Sequence, residues 1–140
     1  MLVTAAAMWA GHLLLPGTPV PLPWRAAVGG ALLICAGLFG PRAIRTFSRQ
    51  GTTLNPVRID EASALVTSGV FARTRNPMYL SLALALLAWA AWLGQWPLLL
   101  GPIAFVLFIT RFQILPEERV LSARFGAEYD RYRARVRRWL

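Results

Sequence analysis

The chain contains no lysine, one cysteine, one histidine and only six acidic residues in 140 positions. A single cysteine excludes disulfides within the chain and cysteine-based zinc sites. Cys35 lies in an apolar run, where packing is its expected role. An isolated His12 with so few acids near it leaves no metal-ligand cluster, and neither a phosphate loop nor a dinucleotide-type glycine pattern is present. The apolar N-terminal stretch has no basic region before it and no cleavage site, so it is expected to be retained as a span. No Asp or Glu precedes Asp60. The most pointed absence is between Asn76 and Thr110, where there is no charged side chain at all.

What is present is apolar sequence in long runs, 56% hydrophobic residues in all. Long runs rather than short amphipathic pieces predict an all-α integral membrane protein, a single domain over 1–140. A continuous helix of roughly 35 residues would be about 50 Å long, against a hydrocarbon core of about 30 Å. The charge-free run is therefore expected to fold back at Gly94-Gln95-Trp96-Pro97. Four transmembrane helices are expected at about 2–15, 26–47, 78–93 and 98–115, the last two forming a helical hairpin. Arginines at their ends extend the effective span by snorkelling.

The formal charge of +9 rests on fifteen arginines. They flank the apolar spans or crowd the C-terminus, which points to membrane lipid head groups as partners and not to nucleic acid. Arginine is concentrated between Arg42 and Arg75 and again after Pro116, whereas Gly94-Gln95-Trp96-Pro97 has none. The positive-inside rule places both termini and the middle loop in the cytoplasm, as for a protein of a bacterial inner membrane. The polar segment 48–77, with Gly51-Thr52-Thr53-Leu54-Asn55-Pro56 and Leu65-Val66-Thr67-Ser68-Gly69, is longer than a connector requires. Leu121, Phe125, Tyr129, Tyr132, Val136 and Trp139 recur at helical spacing and predict a cytoplasmic amphipathic helix over 117–138, kinked or split at Gly126.

The fold-back brings two polar signatures together, and each has a bland reading beside the chemical one. Glu117 and Glu118 point about 100° apart on a helix, so one can meet a ligand while the other pairs with Arg119 or caps the helix. The bland reading is that Pro116-Glu117-Glu118 starts a helix whose dipole favours acids. In Arg75-Asn76-Pro77-Met78-Tyr79, Pro77 suits a first helical turn with Asn76 as N-cap. Arg75 is then either an anion-binding group at a helix N-terminus or a snorkelling side chain, with Tyr79 an interfacial phenol. Arg111 is an intramembrane charge that needs a partner, Glu118 or a ligand carboxylate, unless it snorkels.

Taken in order, Leu65-Val66-Thr67-Ser68-Gly69-Val70-Phe71, Arg75-Asn76-Pro77-Met78-Tyr79, Glu117-Glu118-Arg119-Val120-Leu121 and Phe125-Gly126-Ala127-Glu128-Tyr129 with Tyr132 resemble one family. It is the isoprenylcysteine carboxyl methyltransferase and phospholipid methyltransferase group of integral membrane enzymes. The resemblance covers roughly the last 90 residues and implies S-adenosylmethionine as methyl donor, bound by Arg75, Asn76, Pro77, Tyr79, Glu117 and Glu118. Histidine often stands in the family where this chain has Asn76, and glycine where it has Ser81. Asparagine keeps hydrogen-bonding capacity but cannot titrate near neutrality.

The donor carries a carboxylate that suits Arg75 or Arg111, and an ammonium and ribose that suit Glu117 or Glu118. A lipophilic or lipid acceptor would enter from the bilayer, and Arg111, Tyr79 and Glu117 are the candidate catalytic groups. Two further readings are a non-catalytic membrane assembly factor on the same scaffold and a small four-helix cation transporter. The latter expects an acid within a span, and the hairpin has none. A nicotinamide-dependent reductase on a similar scaffold is a remoter enzymatic alternative.

Overall fold

A computed structural model describes residues 1–15, 20–49 and 65–140, with Phe47, Ser48 and Arg49 as backbone only. Residues 16–19, between the first two expected spans, and the Gly51 to Pro56 part of the polar segment lie outside the described residues. The described chain is all-helical: α1 (Leu2–Leu14), α2 (Leu22–Arg49), α3 (Pro77–Leu93), α4 (Leu100–Ile109), α5 (Leu115–Phe125) and α6 (Ala127–Arg135). Short 3-10 turns cover Gly69–Ala72 and Trp96–Leu99, and a π turn covers Thr110–Ile114. Two helical stretches, Leu22–Thr46 and Trp96–Phe125, are long and apolar enough to cross a membrane, whereas Leu2–Leu14 and Pro77–Leu93 are shorter apolar helices. Two compact units emerge, Met1–Leu38 with Ser81–Phe108, and Phe39–Leu80 with Ile109–Leu140.

The interior of the first unit mixes small residues (Ala36, Ala83, Ala88 and Ala90) with Met8, Leu86 and Phe105, while Leu13, Leu33, Ile34, Leu100 and Leu107 are exposed. Helices without a hydrophobic drive to associate pack through small residues and turn large apolar ones outward. Cys35 follows this pattern and is exposed. The sequence reading gave it a packing role; its helical position instead turns it outward. A methyl group at Gly101 would overlap the Met8 side chain, so two helices touch closely there.

Polar side chains in this unit close helix ends. Gln95 Nε2 donates to the carbonyl of Leu15 at 3.0 Å and reaches that of His12 at 3.5 Å, satisfying carbonyls at the end of α1. Arg25 donates through Nε to the Trp92 carbonyl at 2.6 Å, and its second nitrogen reaches the same oxygen. Gly94, at φ 74°, sits under that guanidinium, and a side chain there would collide with it. His12 packs against Trp9 with ring centroids 5.7 Å apart. Ser81 donates to the Ala36 carbonyl at 2.8 Å, so the serine is used as an interhelical link.

The second unit has a small core of Ala43, Val66 and Phe71, with Val70 and Met78 against it. Tyr132 donates to the Phe71 carbonyl at 2.7 Å and ties α6 to this core. The chain leaves the unit at Leu80 and re-enters at Ile109, so the first turn of α3 and the start of α5 come together as the expected fold-back requires.

Two expectations are corrected here. The fourth span, expected to end at 115, is not separated from the following segment by a loop: a π turn leads straight into α5, whose first turn carries Pro116, Glu117 and Glu118. A proline inside an α-helix lacks one donor and presses on the carbonyl four residues back. The preceding π turn widens the coil at that point: the Leu115 N–H bonds to the Thr110 carbonyl, five residues back. The helix expected over 117–138 is split at Gly126, at φ 47°, as its sequence suggested, but it ends at Arg135 and not at 138. Beyond that end the carbonyls of Arg137 and Arg138 accept hydrogen bonds from Thr74, Arg75 and Asn76.

Candidate functional site

Three short pieces of the second unit converge. The loop Thr74-Arg75-Asn76 enters α3, the Glu117-Glu118 pair lies in the first turn of α5, and the tail after α6 returns across both. Pro77 is fully buried at the start of α3. Its fixed φ suits that first position, where a missing N–H leaves no helical bond unmade. The Asn76 carbonyl accepts from Leu80 N at 2.9 Å, but the Asn76 side chain does not cap the helix. Its amide Nδ2 donates instead to the carbonyl of Arg138 at 3.0 Å.

The two glutamates diverge as adjacent helical positions must. Glu117 Oε1 accepts from the Tyr79 phenol at 2.6 Å and from Gln113 Nε2 at 2.6 Å. Glu118 faces arginines. Arg75 Nη2 lies 3.1 Å from its Oε1. Arg138 grips both oxygens, Nε to Oε1 at 2.9 Å and Nη2 to Oε2 at 2.7 Å. Glu118 is thus partnered by Arg75 and Arg138, neither Arg119 nor Arg111. Arg119 turns back to the Leu115 carbonyl at 3.4 Å, and Arg111 is exposed with its guanidinium 5.8 Å from the Phe112 ring centroid.

Burial makes this cluster electrostatically strong. The Arg75 and Glu118 side chains are 12% and 16% exposed, and Arg138 is 34% exposed. Two guanidiniums around one carboxylate leave a net positive charge, an arrangement that favours a further anionic oxygen. Arg75 Nη1 also approaches the Tyr129 phenol at 3.5 Å, whereas its Nε is buried without a hydrogen-bond partner. Burial, aided by the Glu118 charge, pushes the Tyr129 phenol up against the opposing pull of Arg75. The Glu118 hydrogen bond raises Arg138 above its ordinary value, so that guanidinium stays charged.

The tail completes the cluster through its backbone. Arg75 N donates to the Arg137 carbonyl at 3.0 Å, and the Thr74 hydroxyl donates to that of Arg138 at 3.2 Å. Thr74, fully buried, also accepts from Asn76 N at 3.2 Å. The sequence reading missed Thr74, Gln113 and Arg138 as members of this site. Gln113 stands four residues before Glu117, a spacing that could have exposed it. Arg138 carries no local signal, because only the return of the tail brings it to Glu118. Among the described residues no group of His, Cys, Asp and Glu could hold a metal ion.

Comparison with known proteins follows the same residues. Positions 24–128 match the family model described as phospholipid methyltransferase. The chain is 33% identical over 119 residues to protein-S-isoprenylcysteine O-methyltransferase B of Arabidopsis thaliana, which is 81% of this chain but 57% of that protein. It is 57% identical over 63 residues to a Haemophilus influenzae protein described as uncharacterized, 45% of this chain and the whole of that protein. No solved structure matches the chain.

Proposed function

The chain belongs to the phospholipid methyltransferase family, and on that premise we propose that it transfers a methyl group from S-adenosylmethionine to a lipophilic or lipid acceptor at the cytoplasmic membrane face. The observation that carries the reading is the two-sign cluster of Arg75, Glu118 and Arg138 beside the Tyr79–Glu117–Gln113 group. Its donor set fits that cofactor. The unpartnered Nε of buried Arg75 is available to a carboxylate oxygen, and the glutamates suit an ammonium or ribose hydroxyls. Arg75, Asn76, Pro77, Tyr79, Glu117 and Glu118 are the residues that would hold it. When bound, S-adenosylmethionine supplies an electrophilic methyl group on a sulfonium.

The chain's own contribution is placement and exclusion of water. Apolar helices on either side keep the dielectric low, which disfavours a charged ground state over a transition state in which charge is neutralised. Fixed arginines and carboxylates orient the donor relative to the acceptor. A carboxylate acceptor needs no base, whereas an ammonium acceptor must first lose a proton. Both hydrogen bonds to Glu117 converge on Oε1, so its Oε2 is the nearest candidate to receive one. Arg111, exposed at the π turn, is placed to meet an anionic head group.

Four spans with both termini on the cytoplasmic side account for the apolar exterior of the first unit. The acceptor would reach the site laterally from the bilayer, with lipids as neighbours along the way.

Titration of the purified chain with S-adenosylhomocysteine tests the reading. Saturable binding that Glu118→Ala weakens is expected, together with transfer of labelled methyl groups into lipid extract. No binding and no labelled lipid product would falsify it. A non-catalytic assembly role is the second reading, favoured by the closed pairing of Glu118 with two arginines as a brace. Undiminished cellular function of a Tyr79→Phe, Glu118→Gln double variant would select that reading over the enzyme.

A further inference from the structure

We propose that the tail dipeptide Arg137–Arg138 forms one wall of the donor site and that Arg138 is a positioning residue, fixing the orientation of Glu118 and the conformation of the Thr74-Arg75-Asn76 loop. The inference rests on the methyltransferase reading above and deepens it.

Three consecutive loop residues end their hydrogen bonds on two consecutive tail carbonyls. Arg75 N meets the Arg137 carbonyl at 3.0 Å, while Thr74 Oγ1 and Asn76 Nδ2 share that of Arg138 at 3.2 Å and 3.0 Å. The tail acts as a template for the loop, because removing it strands three donors at once, one of them on fully buried Thr74. The Arg138 side chain then performs a separate task. Its fork spans both oxygens of Glu118, whereas Arg75 meets Oε1. A one-point contact lets a carboxylate rotate; a two-point contact fixes its plane. Arg138 thus holds the Thr74 and Asn76 side chains through its carbonyl and the Glu118 carboxylate through its guanidinium.

The same geometry gives a reason for asparagine at position 76. What the Arg138 carbonyl requires is a donor, and an amide N–H supplies one at any pH. A titrating group is unnecessary for this contact. A carboxylate in its place would set acceptor against acceptor.

Two readouts separate docking of the tail from its effect on the ligand. Hydrogen exchange of the Arg75 amide reports the bond to Arg137 with no ligand present. Calorimetric titration with S-adenosylhomocysteine, and KM against kcat in methyl transfer, report the site. Asn76→His keeps a donor and is expected to retain amide protection. Asn76→Asp is expected to lose protection and to weaken binding by about tenfold or more, as loss of a buried hydrogen bond beside a charge predicts. Arg138→Lys keeps the charge without the fork, and should raise KM while kcat stays within about twofold. A chain ending at Arg135 should behave as Asn76→Asp does.

Parental affinity and unchanged KM in Arg138→Lys and Asn76→Asp would overturn the proposal, even if the shortened chain fails to fold. Retained amide protection in Asn76→Asp would also overturn it. Absence of S-adenosylhomocysteine binding by the parent chain is a different failure. It overturns the methyltransferase reading, and with it the donor role of the tail, while the amide protection still decides whether tail and loop are locked.

Discussion

The Tyr79 phenol and the Glu117 carboxylate, 38 positions apart, meet in a 2.6 Å hydrogen bond that joins the first turns of two helices. The bond closes the ends of the charge-free run, and Gln113 donates to the same oxygen. Tyr79→Phe should lower stability by roughly 1.5–3 kcal/mol, the range for a hydrogen bond to a charged group. Because both donors share Oε1, a Tyr79→Phe, Gln113→Leu cycle should be non-additive in denaturant unfolding. Independent losses would mean that Glu117 is held by other groups.

Glu118 is the shared counter-ion of two arginines, so its removal leaves like charges facing each other in a part-buried setting. Glu118→Ala should cost about 3 kcal/mol or more, as for breaking a buried ion pair from one side. Glu118→Met combined with Arg75→Met should recover part of that loss. Equilibrium unfolding in lipid-compatible detergent measures both, and equal stability of the single and double variants would count against the charge argument.

At Gly94 the backbone has φ 74° and Arg25 lies directly over it. Gly94→Ala should destabilise the chain by about 1–2 kcal/mol, from left-handed strain and the displaced guanidinium together. Adding Arg25→Ala should remove the steric part only. The thermal midpoints of the three variants check this order.

Burial raises the phenols of Tyr129 and Tyr132 above the ordinary tyrosine value of 10.0. The sign follows from linkage: an unfolded tyrosine loses its proton near pH 10 while the folded one keeps it. Their contribution is therefore fully present below about pH 10 and is lost as pH rises through the folded value. Tyr132→Phe should reduce that alkaline loss, although it removes the bond to the Phe71 carbonyl at lower pH. Unfolding followed between neutral pH and pH 11 tests the crossover.

Legibility in the sequence varied with the range of the interaction. Gly94-Gln95-Trp96-Pro97 announced a break because glycine and proline act locally, and α3 indeed ends at Leu93. The Arg75-to-Tyr79 and Glu117-Glu118 signatures were readable as neighbours because the hydrocarbon thickness forces the return. The role of Arg138 was hidden, since its charge looked like one more basic face of an amphipathic helix. Asn76 was readable as an N-cap by its place before Pro77, yet a carbonyl 62 positions away takes its side chain instead. Pro116 was readable as a helix start, and it does stand in the first turn of α5; what stayed hidden was the π turn that joins α5 to the helix before it without a break.

That widened coil at Thr110–Ile114 also has the character of a phase shifter. One residue more or less in this stretch changes the azimuth of everything beyond it by about 100°. A one-residue deletion there would swing Glu118 toward the bearing that Glu117 now holds, exchanging an arginine's counter-ion for a phenol's acceptor. The sequence of α5 could remain wholly unchanged while the identity of each glutamate was rewritten. In this small protein, which acid is which is therefore decided by helical count upstream, not by the acids themselves.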